Sequence, residues 1–186
     1  MVSISEMVNQ SLTVITKPSV ETFEQFERSG TIREAAIYVA LGSLITGVLG
    51  FSGGLGAVLG GVISSLIGFF IFTGLIYYVG KAFGGTGSFD EVAYTFSLFW
   101  VPMSVLGAIA TLILFITIIG ILLIPILAIV VLIANAYFAY LAVQSSMNMK
   151  EQGKLLLTLV IAVIGSALIQ GLITSLATGA TGTPGA

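Results

Sequence analysis

Side chains that could carry out chemistry are few in this sequence of 186 residues. It contains no histidine and no cysteine, which excludes Ser-His and Cys-His catalysis, disulfides and most zinc sites. A serine or threonine nucleophile in the long uncharged stretches of the chain would also have no Lys, Asp or Glu nearby to act as its base. We expect no enzymatic activity, no cofactor and no metal site.

Three glutamates follow a serine or threonine by three residues. In this capping-box pattern, the hydroxyl accepts an amide of the first helical turn and the carboxylate reaches back to the cap amide. The pattern predicts helix starts rather than catalytic sites. The pairs are Ser3 with Glu6, Thr31 with Glu34, and Ser88 with Glu91.

Three charged side chains stand alone in the middle of the sequence. Lys81, Asp90 and Glu91 are the only charged residues between positions 35 and 149, and we predict that they form a partner-binding site. The alternative is structural, because Asp90 and Glu91 would also stabilise the positive end of a helix. A formal net charge of −2 provides no basic face for nucleic acid.

The elements that position these side chains are strongly apolar. Hydrophobic residues make up 57% of the chain and charged residues 8%, against about 25% charged residues in soluble domains. Uncharged stretches cover residues 35–80, 92–149 and 155–186. A spanning helix needs about 20 apolar residues, so these stretches predict two, two and one spans. We expect an all-α polytopic membrane bundle with spans near 32–50, 55–79, 92–116, 121–146 and 155–177.

Charge also predicts the topology of this bundle. Five spans place all six Lys and Arg residues on one side, which the positive-inside rule makes cytoplasmic. The N-terminus is then cytoplasmic and the C-terminus outside. We expect a cytoplasmic interfacial segment (1–30), a membrane domain (31–178) and a flexible C-terminal tail (179–186).

The interfacial segment has helical periodicity that Lys17 and Pro18 interrupt. It predicts two short amphipathic helices, which either cover the end of the bundle or bind a partner. The apolar positions are Ile4, Met7, Val8, Leu12 and Ile15, followed by Val20, Phe23 and Phe26.

A ridge of small residues runs along the second span. Gly56, Gly60, Ser64 and Gly68 recur at four-residue intervals, and such ridges let a neighbouring helix approach closely. We expect packing within the chain, with a homodimer seam as the alternative.

Polar residues and prolines interrupt the later spans. Asn135 and Gln170 are expected to form hydrogen bonds between helices, although either could bind a ligand. Pro102 and Pro125 should kink the third and fourth spans.

Two segments resemble the Yip (Ypt/Rab-interacting protein) family. The first is Pro18–Glu24, shortly before the first span. The second is Phe83–Glu91 with Tyr94 and Pro102, in which glycines, a serine and an aromatic precede a carboxylate and a proline in the next helix. The resemblance covers nearly the whole chain and implies a five-span all-α domain. In eukaryotic members it implies vesicle trafficking through Rab-type GTPases and other family members.

The segment before the first span is short, which resembles prokaryotic members of the family and implies a prokaryotic cell membrane. We expect a Rab-type GTPase partner only if the family role carries over. The predicted function is a scaffold or membrane-organising protein acting through its cytoplasmic face, with lipids, a membrane protein or a second copy as partners. The alternative is a small-solute or lipid transporter or channel with a pathway between spans three to five.

Overall fold

A computed structural model describes residues 2–50 and 54–181. In this part of the chain every regular element is a helix, and α3 to α7 are long and apolar enough to cross a membrane. The predicted fold class is therefore confirmed. The helices are α1 (Ile4–Thr16), α2 (Val20–Phe26), α3 (Ile32–Leu49), α4 (Gly54–Ala82), α5 (Phe89–Phe115), α6 (Ile118–Ser146) and α7 (Gln152–Thr181).

The predicted span boundaries agree with these helices to about one helical turn. The connection between α5 and α6 lies slightly earlier than expected, because Thr117 accepts a hydrogen bond from Gly120 N at 2.9 Å and begins α6. Pro102 and Pro125 lie inside α5 and α6. In the connection expected between the first two spans, residues 51–53 lie outside the described part of the chain.

The five long helices form an incomplete ring, in which the helices at the two ends barely contact each other. Helix α3 packs between α4 and α5, α6 packs on the other side of α5, and α7 packs on α4. The resulting order is α6–α5–α3–α4–α7. The two edge helices, α6 and α7, contact each other only sparsely, so the ring leaves a space between them.

All charged side chains lie at one end of this bundle, which we call the charged face. It comprises α1, α2, the connections 83–88 and 147–151, and the adjoining helix ends. Helix α1 packs on α5, and α2 packs on α6. In α1 the side chains of Met7, Ser11 and Val14 are buried, whereas Val8 and Leu12 are exposed. The two short helices therefore cover the end of the bundle.

The structure corrects the packing prediction for the ridge on α4. A Cβ added at Gly56 or Gly60 would meet no atom of another helix within 4 Å, and Ser64 is exposed. Only Gly68 lies close to a neighbour, since its added Cβ would be 3.1 Å from Gln170 Oε1. The four-residue spacing identifies a smooth face, but α3 and α7 pack mainly against other faces of α4.

A close approach between α3 and α5 occurs at a glycine outside that ridge. A Cβ added at Gly42 on α3 would lie 2.6 Å from Val101 Cγ1 on α5. Real Cβ atoms essentially never come this close, so a side chain at Gly42 would require Val101 or the two helices to shift.

Candidate functional site

The glycine-rich connection 83–88 fits closely against the end of α6. Thr86 N donates to Met147 O at 3.0 Å, and a Cβ added at Gly87 would lie 1.6 Å from Ser146 O. Gly84 has a φ of +92°, a conformation that other residues rarely adopt. Close approach and backbone conformation thus explain the glycines of the family-like motif.

Two residues of the predicted partner site are held beside this connection. Lys81 Nζ donates to Thr86 O at 3.1 Å and lies 5.7 Å from the centroid of the Tyr77 ring. Asp90 Oδ1 accepts from Ile32 N at 2.8 Å. Asp90 therefore caps α3 from the first turn of α5. A contact between residues 58 positions apart leaves no local pattern in the sequence.

The third residue of the predicted partner site, Glu91, uses both carboxylate oxygens within the chain. Ser88 N donates to Glu91 Oε2 at 2.7 Å, and Glu91 N donates to Ser88 Oγ at 3.2 Å. Arg28 Nε donates to Glu91 Oε1 at 3.1 Å and so joins the segment after α2 to α5. The other capping boxes, Ser3 with Glu6 and Thr31 with Glu34, are also present.

A buried carboxylate that sequence reasoning missed joins α2 to α6. Only 5% of Glu27 is exposed, and Ser145 Oγ donates to Glu27 Oε2 at 2.7 Å. Burial raises the pKa of Glu27 above its ordinary value, and the hydrogen bond from Ser145 offsets part of this effect. The two residues are 118 positions apart, so no spacing rule could have paired them.

Further polar and aromatic contacts fix α1 and α2 on the bundle. Tyr94 Oη donates to Gln10 Oε1 at 2.8 Å, and Tyr38 Oη donates to the buried Ser11 Oγ at 3.0 Å. The buried Phe23 ring of α2 meets a phenylalanine of α5 edge-on at 6.2 Å. These contacts hold α1 and α2 in fixed positions on the bundle, so the charged face has one defined shape.

The second candidate site is a cleft of about 670 Å³ bounded by α4, α5, α6 and α7, which we call the α4–α7 cleft. Its volume lies within the range of small-molecule sites, about 300–1,000 Å³. Apolar side chains provide most of the lining, and no charged residue of the described chain contributes to it. The polar lining residues are Ser64, Ser65, Ser104, Asn135, Ser166 and Gln170.

The polar groups of the α4–α7 cleft do not form the expected hydrogen bonds between α6 and α7. Asn135 Nδ2 donates to a carbonyl of its own helix at 2.8 Å, as do the hydroxyls of Ser104 at 2.7 Å and Ser166 at 3.0 Å. The backbone carbonyl of Gln170 accepts from Thr174 Oγ1 at 2.9 Å, and the Gln170 side-chain amide lines the cleft from an exposed position. Asn135 Oδ1 and the Gln170 amide are thus accessible to a ligand in the cleft.

Comparison with known proteins gives the family. Residues 12–172 match the family model of the Yip1 domain. The chain belongs to the Yip1 domain family. No curated protein and no solved structure shows significant similarity to it. The match confirms the resemblance found in the sequence and, with five apolar spanning helices, makes this chain a Yip1-family integral membrane protein.

Proposed function

We propose that this Yip1-family protein is a non-enzymatic scaffold or membrane-organising protein that acts through its charged face. The observation that supports this function most directly is the way α1 and α2 are fixed on the bundle by Glu27, Tyr94 and Tyr38. A surface held in one shape can bind a partner without paying to order itself first. A membrane protein or a second copy is the expected partner, with a Rab-type GTPase only if the eukaryotic role extends to this chain.

The proposal places the charged face in the cytoplasm and the C-terminus outside. Its support is that all six Lys and Arg residues belong to this face. The chain contains no cysteine, so single cysteines can be introduced at Gln152 on this face and at Ile116, 76% exposed, at the opposite end. An impermeant thiol reagent should label only Ile116→Cys in intact cells. Labelling of Gln152→Cys with Ile116→Cys protected would reverse the orientation.

The partner site is proposed at Lys81, Asp90 and Glu91, and Asp90 offers the sharpest test. In Asp90→Asn the side-chain oxygen can still accept from Ile32 N, so the charge is removed while the contact to α3 remains. We expect less partner after cross-linking and mild solubilisation, and a wild-type complex that weakens with added salt. Glu24→Gln removes an equal charge from an exposed position on α2 and should retain the partner. A salt-insensitive complex that Asp90→Asn retains in full would contradict this site.

A second candidate function is transport of a neutral solute or lipid, and the α4–α7 cleft is the observation that favours it. The cleft contains Asn135 and runs between the helices that contain Pro102 and Pro125. Reconstituted vesicles distinguish the two functions. Protein-dependent flux of a solute or lipid would support transport, whereas a scaffold gives none.

A further inference from the structure

The α4–α7 cleft is accessible from the lipid phase. It lies between spanning helices, and its lining residues on α6 and α7, among them Leu132, Ala136 and Val163, are exposed. Helices α6 and α7 contact each other sparsely, so the opening between them faces the surrounding bilayer. An apolar space of this size loses dispersion contacts unless a molecule fills it, and the solvent at this depth is hydrocarbon.

Simple hydrocarbon does not match the whole lining of the cleft. The Gln170 amide lines the cleft from an exposed position, and among the described residues the Asn135 side chain makes one hydrogen bond, a donation to its own helix. A polar group in hydrocarbon is costly unless it is hydrogen-bonded. The occupant that suits these two residues therefore has a hydroxyl or a similar group that can both donate and accept.

The lack of charged residues in the described lining of the cleft restricts the class of occupant further. No Lys or Arg of the described chain lines it, so a phosphate or carboxylate would enter without a compensating charge. A neutral lipid has no such penalty and can reach the depth of Asn135 without a charged headgroup.

We propose that the α4–α7 cleft binds one neutral lipid with a free hydroxyl group, which enters from the bilayer between α6 and α7. Its hydroxyl donates to Asn135 Oδ1 and accepts from the Gln170 amide, while its hydrocarbon lies against the apolar lining. This proposal rests on the cleft alone and does not depend on the scaffold function or on transport.

The protein has a built-in reporter for this binding. Trp100 is the only tryptophan in the chain and lines the cleft, packed 5.9 Å from the Phe69 ring and 6.0 Å from the Phe72 ring. Bromine on an acyl chain quenches tryptophan fluorescence at short range. Quenching by a brominated lipid therefore reports on occupancy beside Trp100.

The experiment titrates brominated diacylglycerol or brominated phosphatidylcholine into vesicles that contain the full-length protein. We expect diacylglycerol to quench saturably, at a mole fraction at least tenfold lower than phosphatidylcholine. Asn135→Leu and Gln170→Leu should each raise the diacylglycerol midpoint toward the phosphatidylcholine value. Gln152→Leu, which removes the same amide from the charged face, should leave it unchanged.

Two outcomes would overturn the neutral-lipid proposal. One is equal quenching of the wild-type protein by the two brominated lipids, which would show only general contact with the bilayer. The other is an unchanged diacylglycerol midpoint in both leucine variants. The thermal unfolding midpoint of each variant shows whether it is folded, and the wild-type comparison decides the question even if one variant does not fold.

Discussion

The two halves of the bundle differ in how far their side chains are buried. In the charged half, adjoining the charged face, residues 92–99 of α5 are all buried and so are residues 141–143 of α6. In the far half, which contains residues 104–137 and 163–176, most side chains are exposed; Leu122 is 75% exposed. The same helix, α6, thus changes from a core element to an edge element along its length.

The surrounding solvent explains why α6 can be a core element in one half of the bundle and an edge element in the other. In the far half an exposed leucine faces lipid, which is as apolar as a protein interior, so helices gain little by closing together. In the charged half, α1 and α2 add buried side chains and polar contacts that fix the helix ends. The difference indicates that the charged half specifies the fold, while the far half leaves room for a cleft.

The largest expected effect is a difference in stability between two glycine-to-alanine variants, one in each half of the bundle. In Gly87→Ala the new methyl group would meet the Ser146 carbonyl, and we expect a loss of about 3 kcal/mol, at the upper end of overpacking effects. In Gly60→Ala the methyl group meets no neighbouring helix, and the change should be within about 0.5 kcal/mol. Thermal unfolding in mild detergent, monitored by circular dichroism, measures the stability of both variants. Equal losses at the two positions would contradict the comparison.

The charged half also predicts a smaller, pH-dependent effect. Burial raises the pKa of Glu27 above its ordinary value near 4.5, so the folded protein holds this proton more tightly than the unfolded chain. Its contribution to stability is therefore greatest below pH 4.5 and is lost as pH rises through the raised pKa. Glu6 and Glu21, whose pKa values are lowered by hydrogen bonds to serine or the backbone, act in the opposite direction.

The variant Glu27→Gln isolates this contribution from the other carboxylates. Subtracting its unfolding free energy from that of the wild type at each pH should leave a difference that turns against the wild type as pH rises. Glu24→Gln, at an exposed position on α2, is the control for removal of a glutamate from this region. A flat difference for Glu27→Gln would mean that the contact between α2 and α6 does not bury the charge.

Sequence reasoning predicted this molecule best where a local pattern determines the structure. Hydropathy gave the five spans to about a turn, and capping boxes gave the starts of α1, α3 and α5, because both depend on neighbours in the chain. The contacts of Glu27 with Ser145 and of Asp90 with Ile32 depend on distant residues. The ridge of Gly56 and Gly60 was wrong as a packing face within the chain, since spacing alone does not show which face of α4 meets a neighbour.

The smallest expected effect tests whether the buried polar groups of the charged half are as fully hydrogen-bonded as its apolar groups are packed. Within residues 2–50 and 54–181, Thr95 Oγ1 is the one buried side-chain polar atom without a hydrogen-bond partner. Thr95→Val removes that hydroxyl and keeps the shape, so stability should stay the same or rise by up to about 1 kcal/mol. Thr73 is equally buried, but its hydroxyl donates to Phe69 O at 2.8 Å, and Thr73→Val should cost about 0.5–1.5 kcal/mol. Equal losses in detergent unfolding would show that Thr95 has a partner in solution, such as an ordered water molecule, and that the polar groups of this half are as fully paired as its apolar groups are packed.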